Sequence, residues 1–318
     1  MFDLLDPLHA PLAEVPSTIL TLPALVVASG AQASEKFLEF FLATIRNANT
    51  RQAYAVALSQ CLSWLQGRGV AHLHAVTPLM IAAYIEQHPG AAPTVQQHLA
   101  AIRRCFDYLV TTQVLPGNPA ASVKGPRYSV TVGKTPVLSA ADTRLLLDSI
   151  HPESWTGLRD RALIAVMVYS FARVSAVLQM RVEDYYWQAR RPWLRLHEKG
   201  GKLHCVPAHP QLEAYLEAYL AFSEGSEVKA WLFRTRTGKA LGRDQVLRMI
   251  RRRAQQAGIT EPVCCHTFRA TGITTFLHNG GLLEKAQQIA AHASMETTQL
   301  YDRREQELTL EEIERIRI

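Results

Sequence analysis

Residues 1–32 contain no lysine and no arginine, only the three acids Asp3, Asp6 and Glu14 and a scatter of prolines. With so little charge and no clear periodicity, this stretch reads as a loosely held, flexible arm, and it is a poor contact for a polyanion. The chain also lacks any C-x-x-C pair. Its five cysteines, Cys61, Cys105, Cys205, Cys264 and Cys265, are odd in number, which argues against a disulfide framework. Cys264, Cys265, His266, His278 and His292 do not make a closed tetrahedral spacing, and adjacent cysteines rarely both ligate one ion, so no metal is expected. The apolar run "ILTLPALVVAS" has no basic flank, carries Pro23 and is too short to cross a bilayer. Internal repeats and low-complexity tracts are missing as well. Together these absences point to a cytoplasmic protein with free thiols and no cofactor.

The charge that is present is unevenly placed. The 318 residues carry a net +6, yet residues 1–32 and 305–318 each hold −3, which leaves +12 on residues 33–304. A basic body with acidic ends suits a polyanionic partner, drawn in by long-range attraction. The length allows two domains, each with its own core.

From Ser34 to about Val123 the pattern is helical. "TPLMIAAYIEQH" opens with Thr77 as N-cap and Pro78 at the first helical position. "TVQQHLAAIRRCFDYLV" opens with a capping box from Thr94 to Gln97. Within it Val95, Leu99, Ile102, Phe106 and Leu109 form one buried stripe, with Arg103 and Arg104 facing outward. "NTRQAYAVALSQCLSWL", with Arg51 near its start, has the same character. Four or five such helices make a compact bundle. Residues 123–139, "VKGPRYSVTVGKTPVLS", have no helical period and read as a linker. The expected divisions are an arm at 1–32, a helical domain at 33–123, a linker at 124–136 and a second domain at 137–318.

The second domain is mixed. A box from Ser139 to Asp142 starts a helix, and "ALIAVMVYSFA" (162–172) predicts a fully buried one. "RPWLRLHEKGGKLHCVPAH" predicts two strands joined by a two-residue turn at Gly200-Gly201, flanked by Lys199 and Lys202. "GRDQVLRMIRRRAQQAG" is a very basic helix, and "TLEEIERIRI" closes the chain as a short acidic one. The fold class is therefore mainly α with a small β-sheet.

Several side chains here carry chemistry. Arg173 follows the buried run and cannot shed its proton, so it needs an anion or several acceptors; Asp160 and Asp184 are candidate structural partners. His266 and Arg269 in "HTFRATGITTFLHNGG" are one helical turn apart and can reach the oxygens of one phosphate. His292 sits among small residues, where a ligand can approach closely. Tyr301 follows nine residues later. A phenol with a pKa of about 10 is a poor nucleophile unless neighbouring cations stabilise its anion or a base takes its proton. Taken singly, each of these has a bland structural explanation. In this order they make a set.

That set resembles the tyrosine recombinases of the phage-integrase family, which include the Xer-type enzymes. "FARVSAVLQMRVED" is similar to the first-arginine box, "EKGGKLHCVP" to the hairpin with the catalytic lysine, "HTFRATGITTFLHNGG" to the His-x-x-Arg box, and "IAAHASMETTQLYDRR" to the segment with the second histidine and the tyrosine. The resemblance implies catalytic roles for Arg173, Lys199 (Lys202 being the runner-up), His266, Arg269, His292 and Tyr301. It implies a helical core-binding domain that clamps DNA, and a mixed α/β catalytic domain. Three positions depart from the family pattern. Ala172 stands where Gly usually precedes the arginine, Ala176 where Glu usually follows it, and Ala291 where Gly usually precedes the second histidine. None of the three supplies a reacting group, so fine packing rather than chemistry is affected.

The resemblance further implies a site-specific recombinase that cuts and rejoins double-stranded DNA through a 3′-phosphotyrosine. It would work as a tetramer, with the terminal helix docking on a neighbouring protomer, in integration, excision or resolution of a mobile element. Arg51, Arg103, Lys202 and Arg251 are the expected phosphate contacts. A type IB topoisomerase-like enzyme and a non-catalytic DNA-binding regulator are the competing readings.

Overall fold

The computed structural model describes residues 22–128, 133–198, 201–222 and 227–303. The chain forms two compact units, Met1–Ser129 and Val130–Ile318.

The first unit is helical: α1 (Ala24–Ala28), α2 (Ala31–Thr44), α3 (Ala48–Gln66), α4 (Pro78–Glu86) and α5 (Ala92–Thr111), with a 3₁₀ turn at Leu73–Ala75. The caps explain the starts. Asn47 accepts from the Thr50 N–H, and Thr77 accepts from the Met80 N–H with Pro78 behind it. The expected stripe of α5 is buried along its whole length. That helix begins earlier than its sequence indicates. Pro93 lies in the first turn and Ala91 is the N-cap, so Thr94 sits inside the helix and caps nothing. The arm also ends sooner than expected. Leu25 and Val26 of α1 are buried in the same core as Phe37, Phe40 and Phe41, because the run around Pro23 has enough apolar surface to leave water. Residues 1–21 lie outside the described part.

The second unit holds α6 (Ala140–Ser149), α7 (Trp155–Tyr169), α8 (Val174–Leu178), the strands β1 (Tyr185–Gln188), β2 (Arg191–Glu198) and β3 (Lys202–Pro207), then α9 (Pro210–Ala221), α10 (Arg243–Gln256), α11 (Cys265–His278), α12 (Leu283–Ile289) and α13 (Met295–Gln299). The sheet is antiparallel in the order β1-β2-β3. Strand β1 was not expected from the sequence; its four residues are too short to show an alternation. The last β2–β3 pair is Glu198 with Lys202, so three residues rather than two separate the strands, and Gly201 takes φ +77°. Lys199 and Gly200 lie outside the described residues, as does the predicted terminal helix.

Helix α7 is the central element. Ser154 caps it by accepting from the Gly157 N–H at 3.0 Å, and from Ala162 to Val168 every side chain is buried. It begins earlier than the apolar run and stops at Tyr169, where the chain turns through Phe171 at φ +54°. Asp160 of α7 is fully buried. Its two oxygens accept from Arg159 (2.6 Å) and from Arg253 of α10 (2.8 Å), which ties these helices together. Helix α11 crosses α7 at Gly272, where no side chain fits. A Cβ there would collide with the Val168 carbonyl oxygen and stand 2.8 Å from Phe171 Cδ1.

Candidate active site

Five of the six expected catalytic residues converge. Arg173 is the N-cap residue of α8, immediately after the Phe171 turn. Its guanidinium does not meet Asp160 or Asp184. It donates from Nη1 to Glu198 Oε2 at 2.5 Å. Asp160 is committed to Arg159 and Arg253, and Asp184 to Arg195 and His197.

His266 stands in the first turn of α11, whose start is fixed by the Cys264 N–H donating to Thr267 Oγ1 at 3.1 Å. Arg269, one turn on, is 1% exposed. It donates to the backbone carbonyls of Phe171 and, at 2.6 Å, Ala290. Its Nε–H is buried and has no acceptor among the described residues. The hydrogen-bond partners of this buried guanidinium are neutral backbone carbonyls, and the Glu198 charge reaches it without a hydrogen bond, so a bound anion would complete it.

The end of α12 sets His292. The His292 N–H bonds back to the Gln287 carbonyl and the Ala291 N–H to that of Gln288, a Schellman closure with Ala291 at φ +48° in the place usually taken by glycine. His292 Nδ1 lies 2.9 Å from Thr298 Oγ1, and its ring stacks on Tyr301 with centroids 5.7 Å apart. Tyr301 follows α13, which Ser294 caps. It is 8% exposed, and its hydroxyl lies 3.2 Å from His266 Nε2. Thr274 Oγ1 donates to the Tyr301 carbonyl, and the Gly133 N–H donates to that of Leu300, so the backbone at Tyr301 is held from two sides.

Electrostatics follow from this packing. Burial, aided by the guanidiniums of Arg269 and Arg173, pushes the His292 imidazole down to about 3. His266 is lowered for the same reasons, with Arg243 contributing. Burial and then Arg173 push Arg269 down to about 10. Two arginines, one of them paired with Glu198, and two neutral imidazoles surround the phenol, so positive charge exceeds negative in the pocket. Such a pocket fits an oxyanion whose charge grows during reaction.

The other expected residues are placed differently. Lys202 is exposed at the start of β3, and Arg251 is exposed on α10. Arg51 and Arg103 do not simply face outward. Arg51 donates to the Ile45 carbonyl, and Arg103 to those of Ala120 and Val123, because chain leaving helices carries carbonyls that need donors. Within the basic run of α10, Arg253 is spent on Asp160. Among the described residues no group of three or more His, Cys, Asp or Glu could hold a metal ion, and no helix is long and apolar enough to cross a membrane.

Two contributors escaped the sequence reading. Thr298 carried no signal beyond its spacing from His292. Glu198 did carry one: it falls in phase with the buried Leu194 and Leu196 of β2, and an acid on the core-facing phase of a strand calls for a partner.

With the geometry in hand, the comparisons with known proteins are specific. Residues 136–307 match the phage integrase family, and residues 35–113 match the phage integrase N-terminal SAM-like domain. The chain belongs to the phage integrase family. It is similar to tyrosine recombinase XerD of Pseudomonas aeruginosa, 29% identical over 264 residues that cover 80% of this chain and 86% of that protein. It is also similar to tyrosine recombinase XerD of Staphylococcus saprophyticus, 26% identical over 276 residues, covering 84% and 92%. In fold it is similar to the XerH site-specific recombinase bound to difH substrate, with a TM-score of 0.67 at 20% identity over 90% of this chain and 84% of that one. The motif resemblance and the mainly helical fold with a small sheet are thus borne out, and the protein is an enzyme of the tyrosine recombinase class.

Proposed function

We propose that this enzyme exchanges DNA strands at specific sites, with Tyr301 as the nucleophile. The phenolic oxygen attacks the scissile phosphorus, its proton passes to His266 Nε2, and a 3′-phosphotyrosine forms as the 5′ oxygen leaves. Arg173 and Arg269 hold the non-bridging oxygens, where charge builds up. Thr298 donates to His292 Nδ1, which leaves the hydrogen on Nε2, ready to donate to the same phosphoryl group. Lys199 protonates the leaving oxygen, and Lys202 is the alternative donor. The covalent link conserves the bond energy, and the 5′-hydroxyl of a second strand reverses the step.

The observation that carries this reading is the 3.2 Å approach of the Tyr301 hydroxyl to a neutral His266 beside two arginines. The relatives support the rest. XerH is described bound to difH substrate before cleavage, and lambda integrase as a dimer on a COC′ core site. On this reading the chain binds double-stranded DNA and assembles as a tetramer on two sites, with residues 309–318 docking on a neighbour. Its work is integration, excision or resolution of a mobile element, in the cytoplasm. Lys202 and Arg251 contact phosphates of the DNA, joined by Arg51 and Arg103 from the first unit, which also brace its loops.

The test is to trap the intermediate. Nicked duplexes carrying candidate sites are incubated with the protein and run on a denaturing gel. A protein–DNA adduct that disappears in Tyr301→Phe is expected. Tight binding with no adduct at any bound site would refute the reading.

A further inference from the structure

The Arg173–Glu198 pair is not explained by the reaction as derived, and both the place and the geometry of Glu198 are unusual. The carboxylate closes β2 at the last rung of its ladder with β3 and is 7% exposed. A charge so deep in a sheet is retained only against a partner. Its partner is the one arginine of the site that the surrounding backbone does not hold. The Phe171 carbonyl is already taken by Arg269, and Ala172 and Ala176 offer no side-chain oxygen. The contact is also end-on. Oε2 meets Nη1, and the other N–H groups of Arg173 have no partner among the described residues. A bidentate clasp would have used the donors that a phosphate needs. The Glu198 charge also reaches Arg269, where it opposes the repulsion from Arg173. Lys199 is the next residue in the chain.

We propose that Glu198 is a positioning residue for strand transfer: it orients Arg173 by one N–H and leaves the rest of the guanidinium for the phosphate. This rests on the reading that Tyr301 attacks a phosphodiester. Glu198 touches no reacting atom on this view and acts through Arg173.

The experiment measures single-turnover adduct formation on a nicked duplex, together with DNA affinity by gel retardation and thermal melting. The proteins are wild type, Tyr301→Phe, Glu198→Gln, Glu198→Ala, Arg173→Ala and the double variant Arg173→Ala/Glu198→Gln. Expected is a rate lower by about 10²-fold in Glu198→Gln, the scale on which misplacement of a reacting group by an ångström acts. DNA affinity should hold or tighten, because a carboxylate has been removed from the path of a phosphate. Formate should restore part of the rate to Glu198→Ala, and the double variant should be no slower than Arg173→Ala alone. An undiminished rate in both Glu198 variants overturns the proposal. So does a faster one, which would make the carboxylate a competitor of the phosphate. A rate loss that adds to that of Arg173→Ala and follows the fall in melting temperature would mean a structural role only, and also overturns it. A wild type without adduct, or an adduct surviving Tyr301→Phe, refutes the transfer reading itself and is distinguishable from all of these.

Discussion

Substituting Gly272 by alanine pits two effects of known size against each other. In an exposed helix interior the change stabilises by about 1 kcal/mol, because alanine loses less backbone entropy than glycine. At this crossing the added methyl collides with the Val168 carbonyl oxygen of α7 and lies 2.8 Å from Phe171 Cδ1. The Val168 oxygen is part of the buried last turn of α7 and, unlike a side chain, cannot rotate out of the way, so α11 has to back away, and overpacking of this kind costs about 1–3 kcal/mol. The rigid partner puts the cost at the upper end, so the net change expected is a loss of about 1–2 kcal/mol. For a unit of this size that lowers the melting temperature by about 2–8 °C. Trp155, Trp187, Trp193 and Trp231 all lie in the second unit, against Trp64 alone in the first, so tryptophan fluorescence follows the relevant transition. The same retreat pulls Arg269 away from the Phe171 carbonyl that anchors it, so adduct formation should slow as well. A Gly272→Ala protein that melts as high as wild type and cleaves at full rate would refute the claim that this seam is closed by backbone contact.

Three further outcomes are expected. Asp160→Asn keeps the shape but leaves Arg159 and Arg253 without a countercharge in the core, and should cost about 3–5 kcal/mol, read as a shifted urea midpoint. Ala291→Gly removes the left-handed strain at the end of α12, worth about 1–2 kcal/mol, against a smaller cost from the extra entropy that glycine gives the unfolded chain, so the melting point should rise slightly with activity retained. The third concerns pH. His292 is held at about 3 in the fold, against 6.5 for a free imidazole, so the unfolded chain takes up a proton that the native state refuses. Its contribution is complete above about pH 6.5 and is lost as pH falls from there toward 3, at up to about 1.4 kcal/mol per unit. Urea midpoints between pH 7.5 and 5.5 should therefore fall in wild type and fall less in His292→Gln; equal slopes would count against the burial of a neutral imidazole.

Much of this protein was legible without coordinates. Helix starts at Thr77 and Ser139, and the buried stripe of α5, followed from local rules, since a cap or a face depends on residues three and four apart. The ordered set Arg173, His266, Arg269, His292 and Tyr301 stood out through its match to the family's motifs, and the fold brings these five side chains together. What the tertiary structure alone decided is which charge answers which. Arg173 takes Glu198 rather than Asp160 or Asp184, and Arg103 turns from its outward face onto loop carbonyls. The left-handed turns at Phe171 and Ala291 were equally hidden, for neither residue type announces a positive φ. Pairings of this kind join residues tens of positions apart. Burial, through its desolvation cost, selects the partner only after the backbone has brought the candidates together.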